Sequence, residues 1–407
     1  MNDVTAGRKD EAGRPGELSR TTRLVHSSSP SADRAGLLNP PAHRASTILY
    51  ERVEDYIGRH SRIYDGVIYG LYGTETNFAL AAAIASLEGG CQTVITSSGT
   101  AAISLSLGAF LKAGDHLLVI DTAYRSTRRF CDEVLAGFGV EVSYFPPDVG
   151  AAIAELIRPN TKMAFLETPG SLTFEMADIR AITAVTRERG IVTALDNTWA
   201  TPMLFRPIEH GVDISIAAAT KYLSGHSDVM LGAMTAASEE VYKRLKDAAA
   251  RWGNSASADD CYLVHRGLRT LDVRLERHQR AALDLCSWFE GQPEVRRLLY
   301  PALASDPGHE IWKRDFDGAS GLFGVLLDPL SEEEMSAFFN GLELFRMGAS
   351  WGGFESLMVP AWPPPVRSCS EVEEGTLIRV HAGLESVRDL IGDLEAAFAR
   401  LRSMRGA

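Results

Sequence analysis

Lys221 lies in the run Ala219-Thr220-Lys221-Tyr222-Leu223-Ser224-Gly225-His226-Ser227-Asp228, downstream of an apolar stretch that ends in Leu195-Asp196-Asn197-Thr198-Trp199. An amine in a Gly/Ser turn and a carboxylate at a strand end can serve one chemistry together. The amine holds an aldehyde as an imine, and the acid keeps a ring nitrogen protonated so that the ring accepts electrons from a substrate carbanion. Those are the needs of pyridoxal phosphate. Partial desolvation of such a lysine disfavours its ammonium form and supplies the free amine. A lone lysine in a turn is most often only a solvated lysine, so the reading needs a further element.

That element is Cys91-Gln92-Thr93-Val94-Ile95-Thr96-Ser97-Ser98-Gly99-Thr100-Ala101-Ala102-Ile103, a β-branched strand, a Ser/Gly turn and a helix of small residues. Free N–H groups at a helix N-terminus, with the helix dipole behind them, bind phosphate without a cationic side chain. Taken alone, the segment reads equally as an ordinary strand-to-helix connection with a Ser/Thr cap. The chain contains no G-x-x-x-x-G-K-[ST] and no G-x-G-x-x-G opening a βαβ unit, which leaves nucleotide binding of either kind without support.

These residues need a scaffold that brings strand ends together. The pattern predicts helices near 76–88, 100–112, 127–138 and 178–190. Between and after them it predicts strands near 92–97, 116–121, 140–146, 162–168, 191–197, 213–218 and 229–236. Alternation of this kind predicts an α/β fold with a mainly parallel sheet covered by helices. Ligands of such sheets sit at the carboxyl ends of strands, where Ser98, Asp196 and Lys221 all fall. Thr22–His26 and Asn39–Tyr50 read as an extended arm suited to clasping a partner subunit, after a polar tail over residues 1 to 20. From Ser238 the chain turns helical, through 239–252 and a long stretch at 258–290. Strands at 321–327 and 376–381 and helices at 331–345 and 386–404 then give a small α+β unit. The expected organisation is an arm over 1–75, a large domain over 76–257, and a bridging helix with a small domain over 258–407.

Composition narrows the function classes. The chain has 407 residues and is 45% hydrophobic, enough for a large core. Its 41 basic and 53 acidic residues give a net charge of −12, which argues against a nucleic-acid or anionic-membrane surface. Five widely spaced cysteines without a C-x-x-C pair argue against a disulfide framework or a zinc knuckle, and fit a cytoplasmic setting. No secretory signal or membrane span is legible, and no metal-ligand spacing is complete.

Beyond these segments, Tyr69-Gly70, Gly73-Thr74, Asp121-Thr122-Ala123-Tyr124, Arg266-Gly267-Leu268-Arg269-Thr270-Leu271 and Ser350-Trp351-Gly352-Gly353-Phe354-Glu355-Ser356-Leu357 stand in one order. Together with the lysine, aspartate and Ser/Gly runs they resemble the Cys/Met-metabolism family of pyridoxal phosphate enzymes, from about residue 20 to 402. The run Glu167-Thr168-Pro169-Gly170-Ser171-Leu172-Thr173-Phe174-Glu175 and Trp351 resemble its bacterial cystathionine β-lyase branch rather than the γ-enzymes.

The resemblance implies a fold type I enzyme with a large sheet domain and a smaller α+β domain. It implies that Lys221 holds the cofactor as an imine and then moves substrate protons. Asp196 would pair with the ring nitrogen and Tyr124 would stack on the ring. Ser98, Gly99, Thr100 and Thr220 would hold the phosphate, and Tyr69 would reach it from a neighbouring subunit. Arg379 would grip the substrate α-carboxylate, for which a guanidinium fork is suited. Ser350 and Trp351 would shape the pocket. His226, Asp228 and His381 read as structural or supporting. The implied reaction is β-elimination of a thiol from L-cystathionine or a related S-substituted cysteine, and the implied assembly is a homotetramer of paired dimers.

Two competing readings stay open: γ-elimination or γ-replacement on sulfur amino acids, and a non-catalytic binding or regulatory protein of the same fold. One departure bears on all three. The family's Tyr-x-Arg, whose arginine also grips the phosphate, is here Tyr69-Gly70-Leu71-Tyr72. Leucine donates no charge, which predicts looser cofactor binding unless another base such as Arg62 compensates.

Overall fold

The computed structural model describes residues 18–27 and 38–406. Most of the charged tail predicted at the N-terminus lies outside the described residues.

Seven strands form the first sheet: β1 (Gln92–Thr96), β2 (His116–Ile120), β3 (Glu141–Phe145), β4 (Thr161–Glu167), β5 (Val192–Asp196), β6 (Ile214–Ala217) and β7 (Gly232–Ala236). Their spatial order is β1-β7-β6-β5-β4-β2-β3. β7 runs antiparallel to both β1 and β6, and the remaining neighbours are parallel. β2 reads His-Leu-Leu-Val-Ile and is buried at every position, as a strand covered on both faces must be. Helices Glu75–Glu88, Gly99–Phe110, Ile179–Glu188 and Glu239–Arg251 pack against this sheet.

A second sheet holds β8 (Val295–Leu299), β9 (Leu322–Leu327), β10 (Leu357–Pro360) and β11 (Thr376–His381) in the order β10-β11-β9-β8, all antiparallel. The long helix Leu271–Glu290 packs on β8 and on the final helix, Val387–Arg405.

The α/β fold and every strand expected in the first sheet are present, and four details differ. Thr22–His26 belongs largely to a helix, Arg20–Val25, rather than to an extended arm. The Ser19 side chain accepts from Thr22 N, and Leu24 is fully buried; tertiary burial stabilises a turn too short to persist alone. The helix expected at 258–290 is two, Ala258–Leu268 and Leu271–Glu290. Arg274 reaches back to donate to the Gly267 carbonyl at 2.8 Å, taking an acceptor a continuous helix would use. The helix expected over 127–138 is a short α-segment, Arg125–Arg129, followed by a wider π-turn over Phe130–Leu135. The helix expected at 331–345 closes earlier, as Glu332–Phe339.

Candidate active site

Four chain segments meet at the carboxyl ends of β4, β5 and β6. Asp196 ends β5 and is almost fully buried. Both of its hydrogen bonds fall on Oδ1, from Thr198 N at 3.0 Å and Thr198 Oγ1 at 2.5 Å, which leaves Oδ2 for a ligand. The Thr198 hydroxyl oxygen also accepts from Ala218 N at 2.8 Å, fastening the end of β5 to the turn that carries Lys221. Burial raises the Asp196 pKa, opposed by the Thr198 hydrogen bonds and the nearby Lys221 charge.

The Lys221 Nζ donates to Ser350 Oγ at 2.6 Å and lies 5.1 Å from the centroid of the Trp351 ring. Burial lowers its pKa from 10.5 to about 8; the Arg379 charge acts in the same direction and Asp196 against it. The lysine turn is held by Arg274, whose guanidinium donates to Tyr222 O at 2.8 Å. Gly225 adopts φ +70°, and a Cβ there would run into that guanidinium, so the position requires glycine.

Arg379 sits on β11 and donates through one nitrogen to Gly348 O at 2.8 Å and Ser350 O at 3.0 Å. No carboxylate pairs with it among the described residues, unlike the structural ion pair that a strand arginine usually makes. Burial lowers its pKa, and Tyr124 lies within electrostatic reach. A partly buried guanidinium whose partners are carbonyls keeps donors suited to an anion. Tyr124 follows β2 with 45% of its surface exposed, so its ring is open to a ligand.

Ser98 caps helix Gly99–Phe110, accepting from Ala101 N at 3.0 Å, and so turns the first N–H groups of that helix outward at Gly99 and Thr100. A Cβ on Gly99 would collide with Ala218, and one on Gly232 with the Ser98 carbonyl. The cup is thus built by close backbone approach. Thr220 Oγ1 accepts from Leu231 N at 3.0 Å and donates to Leu231 O at 3.1 Å, bracing the lysine turn against the strand that follows. Tyr69 takes part in none of these contacts; it stands 49% exposed just before the turn Gly70–Tyr72. The remaining candidates are supporting contacts: His226 Nδ1 meets Ser224 O at 2.6 Å, and His381 Nδ1 meets Glu355 O at 3.1 Å.

Two residues carried no role in the sequence reading. Glu167 ends β4 in register with Asp196 and accepts from Tyr124 N at 2.6 Å. Burial and the neighbouring Asp196 push its pKa well above the usual carboxylate range. Asn254 accepts from Ser97 N at 3.1 Å and donates to Ile95 O at 3.0 Å, fixing the turn into the phosphate cup. Glu167 was findable as the polar end of a strand beside the one ending in Asp196. Asn254 had no such signal.

An amine of lowered basicity, a buried carboxyl with an open oxygen, a glycine-lined helix N-terminus and an anion-free guanidinium fit pyridoxal phosphate joined to an amino acid. Comparison with known proteins agrees. The model of the Cys/Met metabolism PLP-dependent enzymes matches residues 21–399. The chain is 42% identical to the cystathionine β-lyase of Escherichia coli K12, over 93% of this chain and 98% of that protein. It is also 42% identical to the L-alanine/L-glutamate racemase of Wolbachia pipientis, over 91% of this chain and 94% of that one. The solved cystathionine γ-synthase of Xanthomonas oryzae pv. oryzae superposes with a TM-score of 0.87 at 30% identity, covering 95% of this chain and 99% of that one. The chain belongs to the Cys/Met metabolism family of pyridoxal phosphate-dependent enzymes.

Proposed function

We propose that the protein is a carbon–sulfur β-lyase that cleaves L-cystathionine, or a related S-substituted cysteine, to a thiol, pyruvate and ammonia. The observation that carries this reading is the Lys221 amine, held 2.6 Å from Ser350 Oγ and 5.1 Å from the Trp351 ring, within electrostatic reach of both Asp196 and Arg379.

Bound pyridoxal phosphate supplies the electron sink that makes the substrate Cα proton removable. The chain supplies the rest. Arg379 receives the substrate α-carboxylate with the donors its carbonyl partners leave free. Lys221, partly deprotonated near neutrality because burial lowers its pKa to about 8, takes the Cα proton. The Cβ–S bond then breaks, sulfur leaves with the bonding pair as a thiolate, and the unsaturated three-carbon fragment left behind takes up one water to give pyruvate and ammonia. Ser350 orients the amine, and Trp351 walls the space beside it. Asp196 would hold the ring nitrogen, Tyr124 would cover the ring, and Ser98, Gly99, Thr100 and Thr220 would hold the phosphate with Tyr69 of a neighbouring copy. The exposed Tyr69 and the exposed apolar side chains Leu49, Val53 and Ile57 of the arm support a homotetramer of paired dimers. We place the protein in the cytoplasm and its product thiol, homocysteine, in methionine supply, and divide the chain as arm, 76–257 and 258–407.

Racemisation is a second reading, favoured by the Wolbachia relative. It shares Cα-proton removal and differs in having no leaving group at Cβ. Mass spectrometry of products from the cofactor-loaded protein decides. Pyruvate with homocysteine from L-cystathionine supports the proposal, and 2-oxobutyrate with cysteine moves it to γ-chemistry. D-alanine from L-alanine without thioether cleavage makes it a racemase. No turnover and no borohydride-reducible absorbance leaves a binding protein.

A further inference from the structure

β10 and β11 are antiparallel neighbours, with Pro360 paired to Ile378. A hairpin between such strands needs only about two to five residues. Here residues 361–375 intervene: Ala361 N still donates to Leu377 O at 2.8 Å, and the chain then departs from the second sheet through Trp362-Pro363-Pro364-Pro365, a run whose φ angles proline restricts. The segment lands on the first sheet beside the end of β2. There Ser368 N donates to both oxygens of the Asp121 carboxylate, at 2.9 and 3.0 Å, and Cys369 N donates to Oδ2 at 2.9 Å. Arg367 donates to Asp121 O at 2.8 Å, to Glu175 Oε2 at 2.6 Å and to Thr173 Oγ1. Arg128 completes the junction, donating to Asp121 Oδ1 and, at 2.9 Å, to Ser368 Oγ.

The Asp121 side chain is fully buried, and those of Arg128 and Arg367 nearly so. A buried carboxylate is tolerated only with charge-assisted hydrogen bonds, and the segment supplies several of Asp121's. Asp121 also opens the short turn that ends in Tyr124. That turn is braced on its other side by Ser171 N donating to Thr122 O at 2.8 Å and by Tyr124 N on Glu167. Its backbone is therefore held between the strap and the strand ends. At its far end the strap continues directly into β11, which carries Arg379.

We propose that segment 361–375 is a strap through which the strand bearing the carboxylate-gripping Arg379 sets the position of Tyr124, with Asp121 and Arg367 as its positioning residues. This rests on the cofactor and substrate roles proposed above for Tyr124 and Arg379. Neither Asp121 nor Arg367 needs to touch the reacting atoms. Arg367 pins the strap simultaneously to the Tyr124 turn and to the 171–175 loop, so its loss releases the turn and the loop together.

The test is amide hydrogen exchange on the full-length protein without cofactor, with Arg367→Gln and, as a second variant that removes the strap's main-chain donor to Asp121, Ser368→Pro. In both, amides of 121–128 and of the strap are expected to exchange about tenfold faster or more, the worth of one lost charge-assisted hydrogen bond. After loading with cofactor, the visible circular dichroism of the ring is expected to weaken. Turnover should fall about tenfold with KM nearly unchanged, because Tyr124 rather than the carboxylate grip is displaced. Faster exchange confined to the strap, with 121–128 and the ring signal unchanged, overturns the proposal. The exchange result is independent of which reaction the protein catalyses, so it stands or falls separately from the lyase reading.

Discussion

At residue scale the site is governed by which charges lack a partner. Asp196 keeps one oxygen open, Arg379 faces only carbonyls, and Lys221 is desolvated to a pKa of about 8. Each is costly in isolation, and the proposed function gives each a partner on a cofactor-bound amino acid. Leu71 is the residue where charge is missing instead. It lies in the turn Gly70–Tyr72 directly after the exposed Tyr69. If that turn faces a neighbour's phosphate, Leu71→Arg adds a cation to an anion site, and the dissociation constant of pyridoxal phosphate from the apo-protein should fall about tenfold, as expected for one charge-assisted contact. Fluorescence titration measures it; an unchanged constant means the amide cup alone carries the phosphate. Lys221, Asp196 and the cup were legible because strand ends followed by Gly/Ser turns announce themselves locally. Arg379, Ser350, Trp351 and Tyr69 entered only through family resemblance, since nothing in Ile378-Arg379-Val380 says which carboxylate the arginine awaits. The Asp121 junction was illegible on both counts, because Asp121 and Ser368 meet across separate sheets.

At element scale the decisive connections are those between strand ends. The Thr198 hydroxyl joins β5 to the lysine turn by donating to Asp196 and accepting from Ala218 N. Replacing it with valine keeps the shape and leaves a main-chain N–H without its acceptor. The expected cost is about 1 to 3 kcal/mol, read from urea unfolding of the apo-protein. A loss below that range means water replaces the hydroxyl. The first sheet was almost wholly readable because apolar β-branched runs alternate with helical ones. β8, Val-Arg-Arg-Leu-Leu, and β10, Leu-Met-Val-Pro, were missed: two central arginines disguise one, and the other is short and ends in proline. The break between Leu268 and Leu271 depends on a carbonyl captured by Arg274 six residues beyond Leu268, a contact that periodicity does not encode.

At the scale of the whole molecule, the lysine turn rests on a buried cluster of tilted aromatic rings. Tyr222, His278 and His381 are all fully buried, and the two imidazole centroids lie 5.2 Å apart. Burial lowers the pKa of His278 to about 4 and holds that of His381 well below 6.5. Both folded values lie below the unfolded one, so the unfolded chain binds more protons in acid. Their contribution is fully present above about pH 6.5 and is lost as pH falls toward 4, at up to about 1.4 kcal/mol per pH unit for each imidazole. Urea midpoints measured at pH 7, 6 and 5 should fall accordingly, and His278→Phe should flatten the decline. A midpoint independent of pH in the wild-type protein excludes this account.

The hydrogen bond between Lys221 and Ser350 spans 129 positions of the chain. On a ribosome, the segment from β1 through β7 emerges with the amine, Asp196 and the cup, while Ser350, Trp351, the strap and Arg379 are still unsynthesised. Closing so long a loop comes late and is entropically expensive. The residues proposed to hold the cofactor aldehyde from this chain are thus made before those proposed to admit the amino acid, so a chain interrupted between them carries the amine without the carboxylate grip.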